Sequence, residues 1–62
     1  MKNLNLVLFH DLDGSITSLS LDFPVFKKDY LLDNLDYIKE ANGCLFVRLF
    51  DDCGNLLGTS EK

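Results

Sequence analysis

Leucine alternates with other residues along the first stretch of the chain. From Asn3 to His10, Leu4, Leu6 and Leu8 fall on one face of an extended strand, and Asn5, Val7 and Phe9 on the other. Asp13-Gly14 follows, a strong two-residue hairpin signal. Alternation then resumes from Ile16 to Phe23, with Thr17, Leu19, Leu21 and Phe23 against Ser18, Ser20 and Asp22. With Asp13-Gly14 as the loop, Leu8 pairs with Leu19, Leu6 with Leu21 and Leu4 with Phe23. The other face pairs Phe9 with Ser18, Val7 with Ser20 and Asn5 with Asp22. A slip of one residue would scramble both faces.

The period changes after Pro24. Leu31, Leu35 and Ile38 recur at helical spacing, flanked by Tyr30, Tyr37 and Ala41, and predict a single amphipathic helix over about Lys27 to Asn42. Pro24 holds the preceding residue extended and bars an earlier start. Asn42-Gly43 reads as the C-terminal stop, with Gly43 left-handed. Asp29, Asp33, Asp36 and Glu40 follow i, i+4, i+7, i+11, so these carboxylates are expected to share the face opposite the core, along ~16 Å of helix.

A second hairpin is predicted from Cys44 to about Ser60, turning at Asp51 to Asn55 with Gly54 in the left-handed position of a three-residue loop. Leu49 is then expected opposite Leu57, Val47 opposite Thr59, Phe50 opposite Leu56, Phe46 opposite Ser60 and Arg48 opposite Gly58. Glu61-Lys62 is expected to fray.

These elements give one domain over residues 1–62, of α+β class, ordered β-β-α-β-β. The helix must cover one face of the sheet. Leu4, Leu6, Leu8, Leu19, Leu21, Phe23, Leu45, Val47, Leu49 and Leu57 are the expected residues of that face. The first and third strands are apolar on both sides, so the predicted order is 2-1-3-4, all antiparallel, with the more polar strands at the edges. The opposite face then carries Val7, Phe9, Phe46, Phe50 and Leu56 with no second layer over them. That apolar patch is larger than a monomer usually shows, and it reads as an interface with a partner or with a second copy.

Composition supports an interaction protein. The chain has 62 residues, 47% of them hydrophobic, and a domain of this size is marginal alone. Its formal net charge of −4 disfavours nucleic acid and anionic membrane as partners. The cations Lys2, Lys27, Lys28, Lys39, Arg48 and Lys62 form no stripe. Cys44 opens a strand and Cys53 sits in the turn that ends it, ~25–30 Å away, too far for a disulfide. A reducing, cytoplasmic setting is therefore expected. The run after Met1-Lys2 is broken by Asn3 and Asn5 and predicts no targeting segment, and no stretch approaches the ~20 apolar residues of a membrane span.

One motif carries chemistry. LVLFHDLDGSITS resembles the first motif of haloacid-dehalogenase-like hydrolases, an apolar strand followed by Asp-x-Asp-Gly-Thr/Ser. The match falls on Asp11, Leu12, Asp13, Gly14 and Ser15. The resemblance implies Asp11 as nucleophile, Asp13 as general acid/base, a nearby magnesium ion and a parallel sheet. It covers about a dozen residues. Those enzymes also need later Ser/Thr, Lys and acidic motifs that a chain of this length cannot house, and an Asp-Gly hairpin turn accounts for the same letters.

Other chemistry is thin. His10 and Asp11 are adjacent on a strand and point to opposite faces, so His10, Asp11 and Asp13 do not converge on a metal. No Ser or Cys is placed by the sequence to form a relay with His10, the only histidine. Neither a phosphate loop nor a zinc spacing is present. No cofactor, metal or enzymatic activity is expected. The expected function is stoichiometric binding of another protein by a small acidic module, of the inhibitor or antitoxin-like kind that phages and mobile elements encode. Binding would use either the acidic helix face (Asp29, Asp33, Asp36, Glu40), suited to a basic groove, or the aromatic sheet face. A homodimer packed through its sheet faces is the alternative, and a dimer joined through strand edges is equally open from the sequence.

Overall fold

The computed structural model describes residues 3–61, which form a four-stranded antiparallel sheet in the order β2-β1-β3-β4 with helices packed against it. Strand β1 is Asn3–Leu12, β2 Ser15–Pro24, β3 Phe46–Phe50 and β4 Leu56–Ser60. Met1, Lys2 and Lys62 lie outside the described residues, and with them the expected fraying of Lys62.

The first hairpin has the predicted register throughout, from Leu4 opposite Phe23 to Phe9 opposite Ser18. Its turn is Asp13-Gly14, with φ of 53° and 82°. Two successive positive φ angles twist the loop to match the strands, which is why Asp-Gly favours it. β1 also pairs with β3, setting Leu6 against Leu49, Leu8 against Val47 and Phe9 against Phe46. The core follows the alternation: Leu4, Leu6, Leu8, Val47 and Leu49 are buried with Leu31 and Leu35 of the helical segment. Each such leucine contributes ~1.5–3 kcal/mol by leaving water.

The helix differs from expectation. A 3-10 turn, Val25–Lys27, leads into α1, Lys28–Asp33, and a break at Asn34 separates it from α2, Leu35–Asn42. Asn34 itself causes the break. Its side-chain amide donates to the Tyr30 carbonyl at 2.7 Å, the acceptor that a regular helix would offer to its backbone N–H. That N–H instead reaches Leu31 O at 3.1 Å. The predicted stop is present: Gly43 has φ of 64°, Gly43 N–H donates to Glu40 O, and Cys44 N–H donates to Lys39 O. Those two bonds make a Schellman motif. Tyr30 and Tyr37, expected beside the apolar stripe, are exposed, whereas Lys39 is buried.

The second hairpin turns as predicted, with Asp51 N–H donating to Asn55 O at 3.0 Å and Gly54 left-handed. Phe50 faces Leu56 as expected, but a bulge follows. Leu57 is the extra residue, so Gly58 faces Leu49 and not Arg48, Thr59 faces Arg48, and Ser60 faces Val47. The shift has a steric reason. Gly58 now lies under the helices, where an added Cβ would stand 2.6 Å from Leu32 Cδ2 and 3.1 Å from Leu35 Cδ1. A larger residue in that position would hold the helices off the sheet. Ser60, brought to the same face, is buried and donates its hydroxyl to the Asp36 carboxylate.

Gly58 and Ser60 draw α2 over β3 and β4. The inner face of β2 is left open as a result. Leu19 and Leu21, expected in the core, are 52% and 38% exposed, and only Phe23 of that strand packs against the core. Leu45, also expected there, is exposed and gives its place to buried Cys44.

Gly58→Val should destabilise the fold by about 1–3 kcal/mol, because its branched side chain must displace Leu32 and Leu35. Gly58→Ala should cost less, since the tip of half-buried Leu32 can swing away. Urea denaturation followed by circular dichroism checks this, and a Gly58→Val midpoint equal to that of the native chain would contradict the close approach.

Candidate protein-binding surfaces

The strand registers arrange the helix-free face of the sheet in rows. Ser18, Phe9 and Phe46 form one row, then Ser20, Val7, Arg48 and Thr59, then Asp22, Asn5, Phe50 and Leu56. The face is therefore mostly polar along β2, while Val7, Phe9, Phe46, Phe50 and Leu56 set an apolar patch across β1, β3 and β4, interrupted by Asn5, Arg48 and Thr59. At its centre the Phe9 and Phe46 rings stack with centroids 4.5 Å apart and planes 23° apart. Cross-strand pairing of β1 with β3 positions both rings.

Arg48 partly covers this stack. Its guanidinium carbon lies 4.9 Å from the Phe46 centroid and 5.6 Å from that of Phe9, within cation–π range. Glu61 holds the guanidinium from beyond the end of β4, with Nη2 3.3 Å from Oε2. Val7, Phe9, Phe46 and Phe50 are half-buried, and Leu56 is exposed. No local signal marks this cover, because the register expected from alternation sets Gly58 and not Thr59 beside Arg48. On the polar side, Asn5 Nδ2 donates to Asp22 Oδ1 at 3.1 Å. The whole face offers flat aromatic area, one cation and peripheral carboxylates, which is recognition chemistry.

The acidic helix face is less coherent than its spacing implied. Asp29, Asp33, Asp36 and Glu40 are all exposed. The break at Asn34, however, interrupts the helical period between Asp33 and Asp36. Asp36 turns to the sheet and accepts the Ser60 hydroxyl, while Glu40 lies 3.8 Å from the Lys39 ammonium. Asp29 and Asp33 are left as the part of the ridge with no bond to another side chain among the described residues.

A histidine–cysteine contact was missed at the sequence level. Cys44 Sγ lies 3.4 Å from His10 Nε2, and the Asn42 carbonyl lies 3.3 Å from the same nitrogen. Pairing of β1 with β3 brings the residue after the helix stop beside the end of β1, a long-range register that no local signal fixes. In one tautomer Nε2–H donates to the Asn42 carbonyl; in the other it accepts from the thiol. Burial pushes the Cys44 thiol above its usual range, only partly offset by the Lys39 ammonium. A nucleophilic cysteine requires the opposite shift.

The haloacid-dehalogenase-like letters lie across the first turn, with Asp11 and Leu12 ending β1, Asp13-Gly14 forming the loop and Ser15 opening β2. The sheet around them is antiparallel, not the parallel sheet that the resemblance implies. The second turn brings ligand atoms of Asp51, Asp52 and Cys53 within 4.8 Å of one another. Asp51 is already engaged: Oδ1 accepts Cys53 N–H at 2.9 Å and Asn55 N–H at 2.8 Å, and Oδ2 accepts the Asn55 side chain at 3.1 Å. These bonds staple the loop. Among the described residues no helix is long and apolar enough to cross a membrane.

Hydrogen bonds from the Asn55 backbone and side chain, and then from Cys53, hold the Asp51 carboxyl below its usual 3.8. The folded value lies under the unfolded one, so the turn's gain is full above that usual value and is lost as pH falls through the depressed one. The Asp51 carboxyl carbon, followed by NMR, should titrate below 3.8, and a midpoint at or above it would remove the staple. A thiol reagent should modify exposed Cys53 in the native protein and reach buried Cys44 only on unfolding; equal rates, read by mass spectrometry, would contradict the burial of Cys44. No family model, curated protein or solved structure matches the chain.

Proposed function

We propose that this chain is a protein-binding module that acts by stoichiometric association, in the manner of an inhibitor or antitoxin, through the helix-free face of its sheet. The observation that carries the reading is the Phe9–Phe46 stack, set with Val7, Phe50 and Leu56 on a face that no second layer of the described residues covers. Aromatic residues and arginine dominate the energetics of protein interfaces, and Arg48 stands over this stack. The partner's surface would present an apolar projection to the rings and a carboxylate able to compete with Glu61 for Arg48. The acidic residues Asp29 and Asp33 lie on the helices and would bias encounter towards a partner of positive charge. Both cysteines are free thiols, which suits the cytoplasm.

The test compares the immobilised native chain with Phe46→Asp and with the double variant Asp29→Lys, Asp33→Lys, using host extract and then the purified partner. The expected result is one protein held at 1:1 by the native chain, weakened at least about 30-fold by Phe46→Asp, as for a hot-spot residue. The double variant should mainly slow association and weaken its salt dependence, because the attraction that salt screens is removed. Unchanged affinity of Phe46→Asp would overturn the assignment of this face. Circular dichroism of each variant separates loss of binding from loss of fold.

A further inference from the structure

The outer edge of β2 is a separate surface, and it is unprotected. The strand is ten residues long, Ser15–Pro24, and among the described residues it pairs only with β1. In a hairpin closed by a two-residue loop the flanking pair, here Leu12 and Ser15, exchanges hydrogen bonds, and every second pair after it does too. The residues between point their backbone groups away from β1. Ile16, Ser18, Ser20 and Asp22 thus offer N–H and C=O groups to a further strand. Natural edges are usually blocked by a lysine, a mid-strand proline or a bulge. β2 has no lysine, its proline is its last residue, and its ladder with β1 is unbroken.

We infer that β2 pairs antiparallel with β2 of a second copy, joining two sheets into one of eight strands. The geometry favours a copy of this chain over a foreign strand. Centred on Ser20 opposite Ser20 of the second copy, the two-fold register sets Leu19 against the second copy's Leu21, and Leu21 against its Leu19. These are non-hydrogen-bonded pairs, where side chains approach most closely. Four leucines then meet on the side that α2 leaves uncovered, which accounts for the exposure of Leu19 and Leu21 in a single chain. The same register sets Asp22, the only charged residue of the strand, against Ser18, so no carboxylate meets another.

The ends also match. Exposed Ile16 lies at the turn end of β2, and exposed Val25 and Phe26 follow its other end. An antiparallel two-fold brings the turn end of each copy to the Val25–Phe26 end of the other. Pairing β2 with itself closes after two copies, whereas β2 on the other edge, five-residue β4, would run on without closure. The strip is ~33 Å long and about one sheet thick, ~10 Å. That is smaller than the ~800 Å² per partner of a standard interface, so the dimer is a weak, reversible one.

Light scattering across a dilution series reads the solution mass of the native chain, Ser20→Pro, Leu19→Lys and Phe46→Asp. Ser20→Pro removes an outward N–H that the monomer does not use, and proline is tolerated on such edges. The native chain and Phe46→Asp should pass from one chain mass to two as concentration rises. Ser20→Pro and Leu19→Lys should stay at one, or dissociate at least tenfold more readily, with native circular dichroism. In a Cys53→Ser background, Ser20→Cys should form a disulfide-linked dimer on mild oxidation. A native chain that stays monomeric at millimolar concentration, or growth beyond two copies, would overturn the inference. So would a dimer lost in Phe46→Asp but kept in Ser20→Pro, the result expected of sheet-face packing. A foreign partner lost only with Phe46→Asp leaves this edge assignment standing, because the two surfaces are tested by different variants.

Discussion

The structure depends on β1 being paired on both sides while its leucine face is buried. Leu4, Leu6 and Leu8 supply three of the eight residues in the apolar core cluster. β2 reaches β1 through a two-residue turn, whereas β3 can reach its other side only after the chain has crossed the sheet. The helical segment is that crossing, and it is also the cover of the leucines it crosses. A chain of this size has little apolar area to spare, so one segment serves as connection and as second layer. Removing the cover would also remove what brings β3 into register.

Legibility followed sequence distance. The first hairpin was readable pair by pair because turn chemistry and alternation are both local and both specified the same register. The strand order was readable because β1 and β3 are apolar on both faces. The helix stop was readable from Asn42-Gly43. The break at Asn34 was not, because its side chain competes with a backbone bond inside an otherwise regular pattern. The bulge at Leu57 was hidden for a related reason. Alternation by itself put Gly58 beside Arg48, and only the proximity of Leu32 and Leu35 makes glycine necessary beside Leu49.

Those two local departures explain most of what differed at the candidate surfaces. With the bulge, Thr59 takes the place beside Arg48, while Glu61 engages its guanidinium above the Phe9–Phe46 stack. The five apolar residues named from the sequence do share one face, but Arg48 lies over part of it. With the break, the period linking Asp33 to Asp36 is lost, and Asp36 becomes an anchor for Ser60. A row of carboxylates that looks uniform in sequence is divided in space between solvent and the sheet. The contact of His10 with Cys44 required the β1–β3 register, which no turn sets.

The off-centre seat of the helices is the step that links stability to recognition. Leucines at positions 19 and 21 cost solvation when exposed, and a helix centred on β1 and β2 would remove that cost. Seating α2 there would give up the Ser60–Asp36 bond and uncover the β4 side. Gly58, which permits the close approach on the β4 side, decides between the two arrangements. The same preference that packs β3 and β4 thus leaves the β2 edge apolar and free in its backbone groups. The surfaces this chain offers are consequences of where a small core could afford to be complete.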